Sequence, residues 1–118
     1  MPALVTLTRR ADFLAAARGR RKSAPGFTLQ ARRRDGDDTE PAIRIGYTCS
    51  KKVGNAVARN RAKRRLRAIA REVLPAAGRA GWDYVLIGRP GQTAALPYPQ
   101  LVADLAAVVV AIHTEPRA

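Results

Sequence analysis

The sequence predicts an α+β domain, a two-layer α/β sandwich in which a small sheet is packed by helices. Three observations carry that expectation: two stretches that alternate apolar and polar residues, two with apolar residues three and four apart, and one near-continuous apolar run between turn signals. With 118 residues and 47% hydrophobic content, the chain suits one domain over 1–118, able to bury a core without disulfide or metal staples. The order read from the chain is α-β-β-(β)-α-β-α, with room for a short extra strand in a loop.

Thr8 is placed to cap a first helix, TRRADFLAAAR, whose thin apolar stripe is Phe13, Leu14 and Ala17 and which Gly19 would close in left-handed geometry. GRRKSAPG at 19–26 reads as a basic loop ending in a Pro-Gly turn. Phe27, Leu29 and Ala31 then alternate with Thr28, Gln30 and Arg32, the pattern of a half-buried strand. After an acidic turn through Asp35-Gly36, Ile43, Ile45, Tyr47 and Cys49 repeat the alternation against Arg44, Gly46, Thr48 and Ser50. Asn55 is the expected N-cap of a long helix that Pro75 should stop, about 19 residues and roughly 28 Å in length. GRAG at 78–81 turns the chain into WDYVLIGR, an apolar strand expected at the sheet centre, and PGQTAALPYP is read as a loop. From Tyr98, residues Leu101, Leu105, Val108, Val109 and Ile112 describe a closing amphipathic helix.

Charge is the strongest functional signal. The net charge is +13, and residues 1–71 hold nineteen of the basic side chains against five acids. Such a field attracts polyanions, with nucleic acid or an acidic membrane as the expected partner classes. Residues 51–72 hold nine lysines and arginines and no acid before Glu72. On a helical wheel Ala58, Ala62, Leu66, Ile69 and Val73 form a narrow docking stripe, while Asn60, Arg64, Arg67 and Arg71 lie opposite, with Lys63 beside them and Arg59, Arg61 and Arg65 flanking. Like charges at these spacings repel by a few tenths of a kcal/mol per pair. A merely solubilising face would intersperse acids, so this ridge reads as a surface for RNA or DNA, and arginine's planar fork suits phosphate and base stacking.

At this point the residues take on a likeness. RIGYTCSKKVGNAVARNRAKRRLR at 44–67 resembles the signature of the protein subunit of bacterial ribonuclease P, and ADFLAAA, FTLQ and DYVLIGR follow that family's order over nearly the whole chain. The resemblance implies a two-layer sandwich on a small mixed sheet with a left-handed βαβ crossover, the fold of ribosomal protein S5 domain 2, a handedness that general rules make unlikely. It also implies a one-to-one complex with a large catalytic RNA. That holoenzyme removes the 5′ leader of precursor tRNA by magnesium-dependent endonucleolytic hydrolysis, with the active site and the Mg2+ belonging to the RNA. The protein is then expected to hold no catalytic residue and no cofactor of its own, and to work in the cytoplasm.

Carried over by position, Arg59, Asn60, Arg61, Lys63, Arg64 and Arg67 match the RNA-docking helix, and Lys51 and Lys52 its basic approach. Phe13 matches an aromatic that flanks a leader-binding cleft between the first helix and the sheet. Ala17 and Gln30 stand where relatives carry further aromatics, and Ala68 replaces an acid. Since stacking is worth about 1–3 kcal/mol per base, leader binding is expected to lean instead on Arg32, Arg44 and Arg89. Thr28, Gln30, Arg32, Arg44 and Thr48 line the cleft in this reading, and Gly46 leaves room for a close approach. Without the resemblance, that face would be an ordinary solvent-facing side of a sheet.

Other chemistry finds little support. Asp35, Asp37, Asp38 and Glu40 lack the ligand spacing of a calcium loop. His113 has no nucleophile or base that sequence can assign to it, and Cys49 falls on an apolar strand face, where a thiol is a small core residue. A single cysteine excludes an internal disulfide, fitting a reducing compartment. The N-terminus lacks the pattern of a signal peptide, and LAAVVVAI at 105–112 is too short to span a bilayer. A purely structural RNA- or DNA-binding protein is the competing class, and a protein-only nuclease would need acids or a histidine pair that the sequence does not supply.

Overall fold

The computed structural model describes residues 3–35 and 40–114. In chain order the elements are β1 (Leu4–Thr6), α1 (Arg10–Ala17), β2 (Arg20–Ala24), β3 (Phe27–Arg33), β4 (Ile43–Thr48), a 3-10 turn (Lys51–Val53), α2 (Ala56–Ala77), β5 (Trp82–Gly88), the short α3 (Gln92–Ala95) and α4 (Tyr98–Thr114). The five strands form one mixed sheet in the order β1-β4-β5-β3-β2. β1, β4 and β5 run parallel, and β3 and β2 return antiparallel. The apolar run Trp82–Gly88 is the central strand, as expected, and β4 and β5 are adjacent and parallel with α2 as their connection.

Strand alternation divides the side chains between two faces. Phe27, Leu29, Ala31, Ile43, Ile45, Tyr84 and Leu86 point to the first face, buried against Leu66, Ile69 and Leu74 of α2 and Leu101, Leu105, Val109 and Ile112 of α4. All five apolar positions expected on the closing helix are buried. The second face carries a smaller cluster, Leu7, Ala16 and Val85 with Phe13 and Ile87, so α1 lies across the sheet on the side away from α2 and α4. The two-layer body holds, with α1 as a partial third layer.

Asn55 caps α2 as expected, its Oδ1 accepting from the Ala58 N–H at 3.0 Å. Gly54 before it has φ +140°, a conformation closed to most side chains. Pro75 does not stop this helix. It sits in the last turn, so the one bond its ring nitrogen cannot donate is lost near the helix end and the preceding turns stay intact, and α2 runs to Ala77, closed by the Gly78 N–H donating to Leu74 O at 2.8 Å. The helix therefore has 22 residues, about 33 Å.

Several local expectations are corrected. Thr8 is not a cap: Arg9 occupies that position and no side chain caps the helix. Gly19 is not left-handed; Arg18 and Gly19 close α1 by donating three residues back, to Ala15 O and Ala16 O. Gly19 is needed because any Cβ there would collide with Ala31 O. The basic loop is in fact β2, paired with β3 from Arg20–Ala31 to Ala24–Phe27. Charged side chains blunt it as an edge strand and erase the apolar alternation that would have revealed it. The loop after β5 contains α3, and β1 is too short to show a pattern. The Asp35-Gly36 turn reaches beyond the described residues at Gly36, as do Asp37 and Asp38.

Candidate nucleic-acid interface

The docking stripe of α2 is buried at Ala62, Leu66, Ile69 and Val73. Asn60, Arg61, Arg64 and Arg71 are exposed to solvent, while Arg59, Lys63, Arg65 and Arg67 are half-buried flanks. Arg67 is not opposite the sheet as expected; its guanidinium lies 5.3 Å over the Tyr47 ring, held at the flank by cation–π attraction. Arg65 turns the other way, Nη1 donating to Thr93 O at 2.9 Å and Ala94 O at 2.8 Å. Arg59 has a buried Nε with no partner among the described residues. Lys51 and Lys52 are exposed on the 3-10 turn, which Ser50 caps by accepting from the Lys52 N–H at 3.3 Å. Among the described residues no acid pairs with any of these cations; Glu72, the one acid on α2, accepts instead from Tyr98 OH at 2.8 Å. The ridge thus keeps its repulsion unrelieved.

The second face is built in three rows set by strand register. One row is Arg32, Asp83 and Arg44. The next is Arg21, Gln30, Val85 and Gly46, and the last is Ser23, Thr28, Ile87 and Thr48. α1 covers the first row and part of the second. Phe13 sits directly on Gly46, where an added Cβ would come within 2.5 and 2.6 Å of its ring. The space left by that glycine is therefore filled by the helix-one aromatic and is not open to a ligand. Gln30 and Thr28 are both 6% exposed, so this side of β3 is more crowded than the expected half-buried strand. Gln30 is floor, not a platform, whereas Ala17 is exposed on α1 and Thr48 is half-buried.

Asp83 organises the first row. Its Oδ1 accepts from Arg34 Nη1 at 2.7 Å and Arg44 Nε at 2.6 Å, and its Oδ2 from Arg44 Nη2 at 2.7 Å and Arg32 Nε at 3.3 Å. Arg34 also donates to Trp82 O, Glu40 O and Ala42 O. Burial alone would raise the Asp83 pKa, but the hydrogen bonds and charges of Arg44 and Arg34 outweigh it and hold the carboxyl below its ordinary value. Asp12 reaches down from α1 to Arg32 and Arg44, both at 3.4 Å. Arg32 and Arg44, expected to serve a ligand, are thus committed to internal acids. Arg89 lies exposed past β5, its Nη1 donating to Ala24 O at 3.0 Å and its N–H to the buried Thr93 Oγ1 at 2.7 Å.

Sequence reasoning missed Asp83, Asp12 and Arg21. Asp83 did leave a signal, an acid inside an apolar strand, which a fold tolerates only with buried partners. Arg21 left none, because its strand was read as a loop.

The remaining polar groups serve packing. Cys49 is buried against Gly88, and burial raises its thiol above the ordinary value despite the Gly88 hydrogen bond and the nearby Lys63 and Arg59. Tyr84 OH accepts from the Arg79 N–H at 2.9 Å and shares a hydrogen bond with His113 Nε2 at 2.6 Å. Burial raises Tyr84 to about 12 and, with the charges of Arg79 and Arg20, lowers His113 to about 4. Among the described residues no three carboxylate, imidazole or thiol groups come together as metal ligands, and no helix is long and apolar enough to cross a membrane.

Comparison with known proteins agrees with this geometry. The family model described as Ribonuclease P matches residues 1–113. The ribonuclease P protein component of Ruegeria pomeroyi is 60% identical over 107 residues, covering 91% of this chain and 85% of that one. The same component from Paramagnetospirillum magneticum is 51% identical, covering 87% and 78%. Among solved structures, the ribonuclease P protein of Thermotoga maritima superposes with a TM-score of 0.74 at 23% identity, over 94% of this chain and 98% of that one. The Staphylococcus aureus protein gives 0.70 at 24% identity, over 90% and 93%. Those two likenesses bear on the fold; with the identities to the curated components and the family match over nearly the whole length, they make this chain a member of the ribonuclease P protein component family, which acts in tRNA processing.

Proposed function

We propose that the chain docks on the RNA subunit of ribonuclease P through α2 and holds the 5′ leader of precursor tRNA on the opposite side of its sheet. The observation that carries this reading is the unpaired cationic ridge of Arg61, Arg64 and Arg71, with Asn60, facing away from the face that α1 partly covers. Arg59, Lys63 and Arg67 extend the ridge, and Lys51 and Lys52 its approach. Phe13 and Ala17 form the α1 wall of the leader path, Thr28, Gln30 and Thr48 its floor, and Arg89 its rim; Arg32 and Arg44 act through the Asp83 cluster. On the family likeness, bond cleavage and the magnesium are assigned to the RNA, and no bond-breaking step is assigned to the chain's own side chains. The chain contributes positioning and charge neutralisation.

Reconstitution with the cognate RNA and a leader-bearing tRNA, followed across magnesium concentration, tests the reading. Added protein should restore cleavage at low magnesium, and Arg64→Ala should lower the log-log salt slope of RNA binding by about one while sparing leader discrimination. Tight RNA binding without any gain in cleavage would favour a purely structural RNA-binding role, and affinity indifferent to salt would remove the docking ridge.

A further inference from the structure

Among the described residues, five arginines serve the second face, and they are not equivalent. Arg32 and Arg44 are bound by Asp83 and Asp12, with side chains only 21% and 22% exposed. Together with Arg34, these guanidinium groups face the Asp83 and Asp12 carboxylates among the described residues, so their charge is largely taken up within the protein. Arg89 is partly committed to Ala24 O, which pins its guanidinium beside the end of β2. Arg21 is exposed, and among the described residues no acid, carbonyl or ring engages it. Register places it directly across from Gln30, on the face that bears Thr28 and Ser23. Its row is the one where Gln30 provides no aromatic surface.

We infer that Arg21, on the edge strand β2, is the specificity-determining cation of the leader path, holding a phosphate and stacking its planar guanidinium on a base where this chain has no aromatic platform. The inference rests on the reading of the second face as the leader path. Arginine can make both contacts at once, and lysine only the first. Arg89, fixed at the end of the same strand, continues the basic rim, and exposed Ser23, two residues from Arg21 and so about 7 Å along the strand, adds a hydroxyl that already shares a hydrogen bond with Thr28 Oγ1 at 3.1 Å. Arg32 and Arg44 then keep α1 on the sheet and do not read the leader.

The test compares holoenzymes carrying the parent protein, Arg21→Ala, Arg21→Lys or Arg32→Gln, binding tRNA with and without a leader under conditions that block turnover. Arg21→Ala should weaken binding of leader-bearing tRNA about tenfold, leave leaderless tRNA and the RNA subunit unaffected, and lower the salt slope by about one. Arg21→Lys should recover the slope but not the full affinity, a split that a merely structural role would not give. Arg32→Gln releases its contact with Asp12 of α1, so it should lower the melting temperature and weaken leader preference in part, without the loss of about one in salt slope that marks Arg21. Full preference retained in Arg21→Ala, or a salt slope lowered by Arg32→Gln and not by Arg21→Ala, overturns the inference and leaves the leader path standing. A parent holoenzyme that does not distinguish the two tRNAs overturns the leader path itself.

Discussion

Replacing Asp83 by Asn keeps its shape and removes its charge. Arg34 cannot follow that charge out to water, because it is 1% exposed and its guanidinium is also held by Trp82 O, Glu40 O and Ala42 O. The attraction lost is about 4 kcal/mol for unit charges some 4 Å apart at an effective dielectric near 20. Leaving one partner of a buried pair uncompensated costs about 3–5 kcal/mol, which agrees. Arg32 and Arg44 add less, because water reaches their partly exposed guanidinium groups. For a domain of this size each kcal/mol moves the melting temperature by roughly 3–5 °C, so Asp83→Asn should melt about 10–20 °C lower in circular dichroism at fixed salt. The folded carboxyl titrates below its unfolded value, so its stabilisation is complete above about pH 4 and is lost as pH falls through the folded pKa. That acid loss should be missing in the variant. A melting temperature within about 3 °C of the parent, with the acid limb unchanged, would refute the idea that this carboxylate holds the second face together.

Two further outcomes follow from the same geometry. Gly46→Ala pushes a methyl into the Phe13 ring; overpacking of this kind costs about 1–3 kcal/mol and should lift α1, weakening leader discrimination while RNA docking through α2 persists, both read by binding assays. His113 is held neutral, its folded pKa of about 4 lying below its ordinary value of 6.5, so the unfolded chain takes up the proton first and stability falls as pH drops from about 6.5 towards 4. The loss should reach about 2 kcal/mol after allowance for partial exposure, and melts of His113→Phe should be flat across that window, which lies above the one set by Asp83.

Periodicity made the main body legible. The strands at Phe27 and Ile43, the central strand, the Asn55 cap and all five buried positions of α4 follow from apolar spacing, because burial on one face imposes it. The edges were illegible for the converse reason: β1 and β2 are half solvated and need no apolar alternation, so Arg20–Ala24 looks like a loop until β3 supplies its partner. Charge was legible in amount and not in availability. Spacing could locate Arg32, Arg44 and Arg65, but only the fold shows that Asp83, from a strand far away in sequence, binds the first two and that α3 carbonyls bind the third. Arg67 missed its expected place because attraction to the Tyr47 ring overrides the helical wheel.

The sheet that separates α1 from α2 also separates two kinds of hereditary constraint. Ala62, Leu66 and Ile69 carry no side chain to the second face, and Arg21 and Ala17 carry none to the first. On the proposed assignment, the surface that must match a lineage's own RNA and the surface that samples many different leaders can diverge at separate rates. Substitutions on α1 and β2 can re-tune which precursors are favoured without renegotiating the partnership, provided that Asp83 and its arginines pass on intact.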